Sequence, residues 1–130
     1  MQKAAKYLTP VTLELGGKSP VIVDDTAKMN ATVPRIALGN FFNAGQTCAA
    51  LDYVLVHSSR KTQFIDDLAA PLTASYTNQA SDSPDYGRII NARHVKRLAT
   101  LRESSGARIT SPCGVGADEV TCFVSPTILR

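Results

Sequence analysis

The stretch Asn43-Ala44-Gly45-Gln46-Thr47-Cys48 closes an apolar run from Ile36 to Phe42, and the rest of the chain is read from it. The apolar run predicts a helix. Gly45 lets the backbone leave that helix through positive φ without a Cβ penalty. Cys48 then falls on a tight turn beside a rigid scaffold. Its thiol is either a nucleophile aimed at something or a small buried hydrophobe, and a lone cysteine next to an apolar helix is more often the second.

On the N-terminal side, Lys3 to Leu8 reads as the end of a helix stopped by Thr9-Pro10. Met1 thus begins inside an element with no cap residue before it, an awkward start for a natural domain. Val11 to Leu15 predicts a short strand ended by Gly16-Gly17. Ser19-Pro20 forces an extended link into Val21-Ile22-Val23, a strand of the buried type, and Asp24-Asp25-Thr26 supplies turn chemistry. Proline is tolerated in the first helical turn, where the missing N–H has no partner, so Pro34 predicts regular helix from Thr32 to Asn43. Ile36, Ala37, Leu38, Phe41 and Phe42 spread nearly all round its axis, which predicts a buried helix.

On the C-terminal side, Tyr53 to Val56 is a strand, and Ser58 or Ser59 caps a helix burying Phe64, Ile65 and Leu68. Pro71 breaks or kinks that helix, at roughly 3 kcal/mol if it lay in a regular interior. Asn78 to Pro84 is a polar loop. Ile89 to Glu103 predicts a further helix with Val95, Leu98 and Leu101 on one face and Gly106 beyond its end. Two short strands, Ala107 to Thr110 and Thr121 to Val124, follow. This alternation predicts an α/β fold with helices layered on a largely parallel sheet.

The 130 residues, 44% hydrophobic and 19% charged, are enough for one domain with a core. No run is long and apolar enough to span a membrane, and no signal-peptide pattern is visible. The net charge of +3 is scattered. Its densest cluster, Arg93-His94-Val95-Lys96-Arg97, fits a solvated helix surface without interleaved aromatics, which argues against a nucleic-acid partner. Cys48, Cys113 and Cys122 are odd in number and form neither a CxxC pair nor a Cys/His cluster. Neither a metal site nor a disulfide framework is expected, and a reducing, intracellular and most simply cytoplasmic setting follows.

Taken singly, the polar candidates say little. Glu14 could be paired with a cation, Gly16-Gly17 alone identifies no ligand, and His57 and His94 have no visible Cys or Asp partner. In combination they say more. Glu-Leu-Gly-Gly-Lys-Ser-Pro (Glu14 to Pro20) followed by Phe-Asn-Ala-Gly-Gln-Thr-Cys (Phe42 to Cys48) resembles the aldehyde dehydrogenase superfamily. Asp52-Tyr53-Val54-Leu55-Val56, Asp85-Tyr86-Gly87-Arg88-Ile89-Ile90-Asn91 and Ser125-Pro126-Thr127-Ile128-Leu129 extend the likeness toward the branch holding fatty-aldehyde and other class 3 enzymes.

The resemblance implies a partial aldehyde dehydrogenase catalytic domain. Residues 1–17 would be the tail of the cofactor-binding domain and residues 18–130 the N-terminal part of the catalytic domain. Cys48 would attack an aldehyde carbon, hydride would pass to NAD or NADP, and Glu14 would activate water against the resulting thioester. Glu14 would then sit in apolar surroundings. The Cys48 backbone N–H would be one oxyanion donor, and Leu15 and Gly16 would touch the cofactor. The family's phosphate-binding loop and second oxyanion donor would precede Met1, a ribose-holding glutamate and an oligomerisation segment would follow Arg130, and the full-length enzyme would be a homodimer. The sequence departs from the family pattern at Leu51, Lys28, Pro34 and Pro71. Two other readings stand beside this one: a non-enzymatic truncated or relic chain that at most associates with a full-length partner, and a redox-sensitive thiol protein.

Overall fold

Val21-Ile22-Val23 cannot form a strand alone, because an extended backbone needs a neighbour for its N–H and C=O groups. In the computed structural model, which describes residues 1–130, that neighbour is the other β-branched run. Strand β1 (Ser19–Val23) pairs in parallel with β2 (Leu51–Val56), with Val21 opposite Val54 and Val23 opposite Val56. The His57 N–H continues the ladder to the Val23 carbonyl at 2.8 Å. Parallel partners require a crossover, and helix α2 (Met29–Phe41) provides it. A four-residue helix α1 (Gln2–Ala5) lies at the start of the chain.

α2 begins three residues earlier than Pro34 predicts. Met29, Val33, Ile36 and Ala37 are its buried residues, an i, i+4, i+7, i+8 stripe. Burying Met29 and Val33 outweighs the single hydrogen bond that Pro34 forfeits. The Lys28 carbonyl accepts from Ala31 and Thr32 at 3.0 and 2.9 Å, so the first turn is intact. The helix is also one-sided rather than buried all round: Leu38 and Phe42 are each 63% exposed.

Pro71 acts as expected. α3 (Lys61–Asp67) and α4 (Ala69–Tyr76) are separated at Leu68, and Pro71 lies in the first turn of α4, where its missing N–H is tolerated. Leu68, Leu72 and Tyr76 carry the core stripe across the break. α5 (Ala92–Ser104) starts later than its apolar pattern suggests, because the Ile89 N–H is used by the Cys122 carbonyl at 2.8 Å. Asn91 caps it, its side-chain oxygen accepting from the His94 N–H at 3.1 Å.

The remaining strands form two antiparallel pairs of two residues each. β3 (Ile109–Thr110) pairs with β6 (Ile128–Leu129), and β4 (Ala117–Asp118) pairs with β5 (Phe123–Val124). The fold is therefore mixed α/β with its longest ladder parallel. Val11 to Leu15 is not a strand. No other strand lies beside it, and residues 9–18 are exposed without regular structure. The β1–β2 pair has one covered face, while Ile22, Tyr53 and Leu55 on the other are 77, 48 and 54% exposed.

The core joins Val23 and the α2 stripe to Phe64, Leu68 and Leu72, and continues through Tyr76 and Tyr86 to Cys113 and Phe123. Leu72 is 1% exposed. Leu72→Ala is expected to destabilise the fold by about 2–5 kcal/mol, against within about 0.5 kcal/mol for Leu38→Ala on the open side of α2. Urea unfolding of the two variants measures the contrast.

Candidate functional site

After Phe41 the chain must turn sharply to reach Leu51. Asn43 and Ala44 adopt φ of 52° and 54°, and Gly45 follows at 77°, so the left-handed region is held over consecutive residues. Such a conformation costs an L-residue roughly 1–2 kcal/mol, less for Asn. Gly45 is required twice over: its φ is left-handed, and an added Cβ would meet the Asn40 carbonyl oxygen at 3.1 Å.

Hydrogen bonds offset the strain. Asn43 and Gln46 are cross-linked: the Asn43 carbonyl accepts from the Gln46 N–H at 3.2 Å and from its side-chain Nε2 at 3.1 Å, while Asn43 Nδ2 donates to the Gln46 carbonyl at 3.2 Å. The same Gln46 amide reaches across the fold. Nε2 donates to the Arg88 carbonyl at 2.9 Å, and Oε1 accepts from the Ile90 N–H at 2.9 Å.

A further turn follows, closed by the Ala50 N–H donating to the Thr47 carbonyl at 3.0 Å. Cys48 is the second residue of that turn, a position whose N–H the turn itself does not use. The thiol is exposed and free, and the backbone N–H of Cys48 makes no bond to another backbone group. A nucleophile and a hydrogen-bond donor thus sit together on one residue. This answers the packing question: the small buried thiol of this chain is Cys113, 0% exposed, and not Cys48.

Glu14 is also exposed, and the apolar surroundings expected for it are absent, since its neighbours from 9 to 18 are exposed too. It is not neutralised by a cation. The chain's one ion pair joins Lys18 to Asp52 at 2.9 Å. No hydrogen bond connects Glu14 with Cys48. Leu15 and Gly16 are likewise open, and a Cβ at Gly16 or Gly17 would meet nothing within 4 Å. That stretch leaves room for a flat ring to approach. The three cysteines are unpaired, no group of three or more His, Cys, Asp or Glu gathers into a metal-binding cluster, and no helix is long and apolar enough to cross a membrane. A groove of about 720 Å³ runs beside β2 between Phe41, Phe64 and Leu129, with neither Cys48 nor Glu14 in its lining.

The anchor for the Gln46 amide is itself well fixed. Arg88 donates to the carbonyls of Tyr86 and Ser81 at 2.9 and 2.6 Å, and its guanidinium lies 5.3 Å from the centre of the Phe123 ring. Tyr86 meets Tyr76 and Phe123 edge-on at 4.9 and 6.0 Å, and its hydroxyl donates to the Val124 carbonyl at 3.1 Å. Gly87 presses against the left-handed turn: a Cβ there would lie 3.2 Å from the Asn43 carbonyl carbon and 3.3 Å from the Ala44 nitrogen. The roles of Gln46, Gly87 and Arg88 escape a reading of sequence alone. They depend on contacts across some forty residues, and nothing local to Gln46 or Gly87 marks them.

Comparison with known proteins identifies relatives along the whole chain. The aldehyde dehydrogenase family model matches residues 1–130. The 4,4'-diaponeurosporen-aldehyde dehydrogenase of Staphylococcus aureus is 48% identical over 128 residues, covering 98% of this chain and 28% of that protein. The dimeric NADP-preferring aldehyde dehydrogenase of Canis lupus familiaris is 46% identical over 129 residues, covering 99% of this chain and 28% of that protein. A solved structure described as the substrate bound state of Staphylococcus aureus AldH superposes with a TM-score of 0.84 at 46% identity, over 98% of this chain and 28% of that one. The chain therefore spans little more than a quarter of the length of these relatives.

Burial holds the Tyr86 hydroxyl well above its ordinary value of 10, with Tyr76 and Cys113 beside it pushing the same way and Arg88 opposing; burial also raises Tyr76 and Cys113. Below pH 10 the tyrosine is protonated in both folded and unfolded chains and adds no slope. Above it the unfolded chain loses the proton first, so stability falls as pH rises. Tyr86→Phe is expected to cost about 1 kcal/mol at neutral pH through the lost bond to Val124. It should also flatten the alkaline limb of stability, followed by urea unfolding between neutral pH and pH 11.

Proposed function

Since the chain belongs to the aldehyde dehydrogenase family, we propose that it carries the nucleophile and the general base of an enzyme oxidising an aldehyde to a carboxylic acid. One observation carries the reading. Cys48 presents an exposed thiol and an unbonded backbone N–H from the second position of a turn held by a strained, hydrogen-bonded loop.

The chemistry follows from those two groups. The Cys48 thiolate adds to the aldehyde carbon, a C–S bond forms, and the carbonyl π pair moves onto oxygen. The Cys48 N–H is the donor nearest the developing oxyanion. When bound, NAD(P) supplies the acceptor for the hydride lost from that carbon, which leaves a thioester on Cys48. Glu14 takes a proton from water as the water adds to the thioester. The C–S bond then breaks, releasing the acid and restoring the thiolate, a good leaving group. Glu14 suits the role of base because no cation in the chain neutralises it. Leu15 and Gly16 form the wall against which the nicotinamide would lie.

In this reading residues 1–17 end a cofactor-binding domain and residues 18–130 begin the catalytic domain. The irregular backbone before Ser19 supports that division. The name of the canine relative supports a dimeric complete enzyme and a nicotinamide cofactor. The three unpaired thiols suit a reducing compartment such as the cytoplasm.

The test is a chimera in which residues 1–130 replace the matching part of the Staphylococcus aureus relative, assayed for NAD(P)-linked aldehyde oxidation. Cys48→Ala should lower turnover on the order of 1,000-fold or more. Glu14→Gln should cost about 100- to 10,000-fold, with acyl-enzyme accumulating because the water step is slowed. Turnover that survives Cys48→Ala would end the proposal. The 130-residue chain alone is expected to leave NADH fluorescence unchanged, having no phosphate cradle.

A further inference from the structure

Within Asn43 to Cys48, Gln46 is the residue whose side chain does the most and whose chemistry the reaction does not use. We propose that Gln46 is the positioning residue of the Cys48 turn, working with Gly87 to lock the turn onto the segment from Arg88 to Ile90. The proposal rests on Cys48 being the nucleophile, and it adds what aims that nucleophile.

The geometry is that of a ladder made by a side chain. Arg88 C=O and Ile90 N–H both face Gln46, the same i−1 and i+1 pair of groups that a neighbouring parallel strand would engage. The Gln46 amide offers one donor and one acceptor to that pair, both at 2.9 Å. Its orientation is fixed by its partners, since the reverse would set carbonyl against carbonyl and N–H against N–H. These are the only hydrogen bonds between the Cys48 turn and residues 85–91.

The two sides of the lock differ in firmness. On the far side of the segment the Ile89 N–H is held by the Cys122 carbonyl at 2.8 Å, and Arg88 is tied to Tyr86 and Ser81. The loop that leads into the turn is the strained partner, with Asn43 and Ala44 at positive φ. Without the amide it has no other bond to this anchor. Gly87 sets the separation: its φ lies outside the left-handed region, so glycine is needed there for closeness alone. The direction of the Cys48 thiol and N–H is therefore decided at residues 46 and 87, neither of which reaches the reacting atoms.

The experiment uses the full 130-residue chain and needs no cofactor. A p-nitrophenyl ester transfers its acyl group to a thiolate and releases p-nitrophenolate, a step that needs the thiol and is accelerated by an aimed oxyanion donor. Iodoacetamide reports the exposure of the same thiol without needing the donor. Rates at Cys48, Cys113 and Cys122 are resolved by mass spectrometry in the parent chain, Gln46→Ala and Gly87→Ala. Cys113, buried in the core, reports whether the fold is intact.

In the parent chain, Cys48 should acylate faster, relative to its alkylation, than in the urea-unfolded chain. In both variants acylation should fall on the order of 10-fold or more. Alkylation of Cys48 should stay within about twofold and Cys113 should remain protected. Unchanged acylation in both variants overturns the proposal, and so does no advantage of the folded parent over the unfolded chain. Loss of Cys113 protection in both also overturns it, since the residues would then support the fold generally. None of these results bears on Cys48→Ala in the chimera, so failure of the lock and failure of the nucleophile assignment are told apart.

Discussion

A parallel pair of strands joined by one helix has to solve a return problem. α2 leaves β1 and runs to Phe41, and β2 must begin at Leu51, level with Ser19, for the ladder to register. The segment between has few residues in which to reverse direction and settle the chain at the edge of the ladder. The backbone reverses through left-handed conformations at Asn43, Ala44 and Gly45. The placement of Cys48 depends on that reversal, because it lies on the second of the two turns that complete it.

Strain at this point persists because the surroundings hold it there. The aromatic group of Tyr76, Tyr86 and Phe123 packs edge to face in the core and fixes the start of the segment from Tyr86 to Ile90. Arg88 ties that segment to Phe123 and to the loop carbonyl of Ser81. The segment then offers two backbone groups to Gln46. A hydrophobic cluster far from Cys48 in sequence is in this way linked to the geometry of its turn.

Much of this was legible in the residues, and the misreadings have physical causes. The β-branched runs at Val21 and Val54 and the break at Pro71 follow from local chemistry and occur as read, whereas α2 ends at Phe41 rather than Asn43, and Asn43 and Ala44 turn left-handed before Gly45 does. Val11 to Leu15 has strand composition but no neighbour, and composition cannot supply one. Pro34 argued for a late start to α2, yet Met29 and Val33 lie on the stripe that the core covers, and burial prevailed over one lost hydrogen bond. Leu38 and Phe42 are apolar without being buried, because a helix in this layer is covered on one side. For the candidate site, the motif singles out Cys48 and Glu14, while the supports of the Cys48 turn depend on a meeting of residues 43–46 with 87–90 that no local pattern announces.

Gly87 has a consequence for how such sequences can change. Its missing side chain is room that Asn43 and Ala44 already occupy, within 3.3 Å of where a Cβ would stand. Positions 43, 44 and 87 are thus one locus in genetic terms, although they lie far apart in the chain. Any side chain at 87 would press on the backbone of residues 43 and 44, so a substitution there and one that makes positive φ harder to hold at 43 or 44 should combine non-additively.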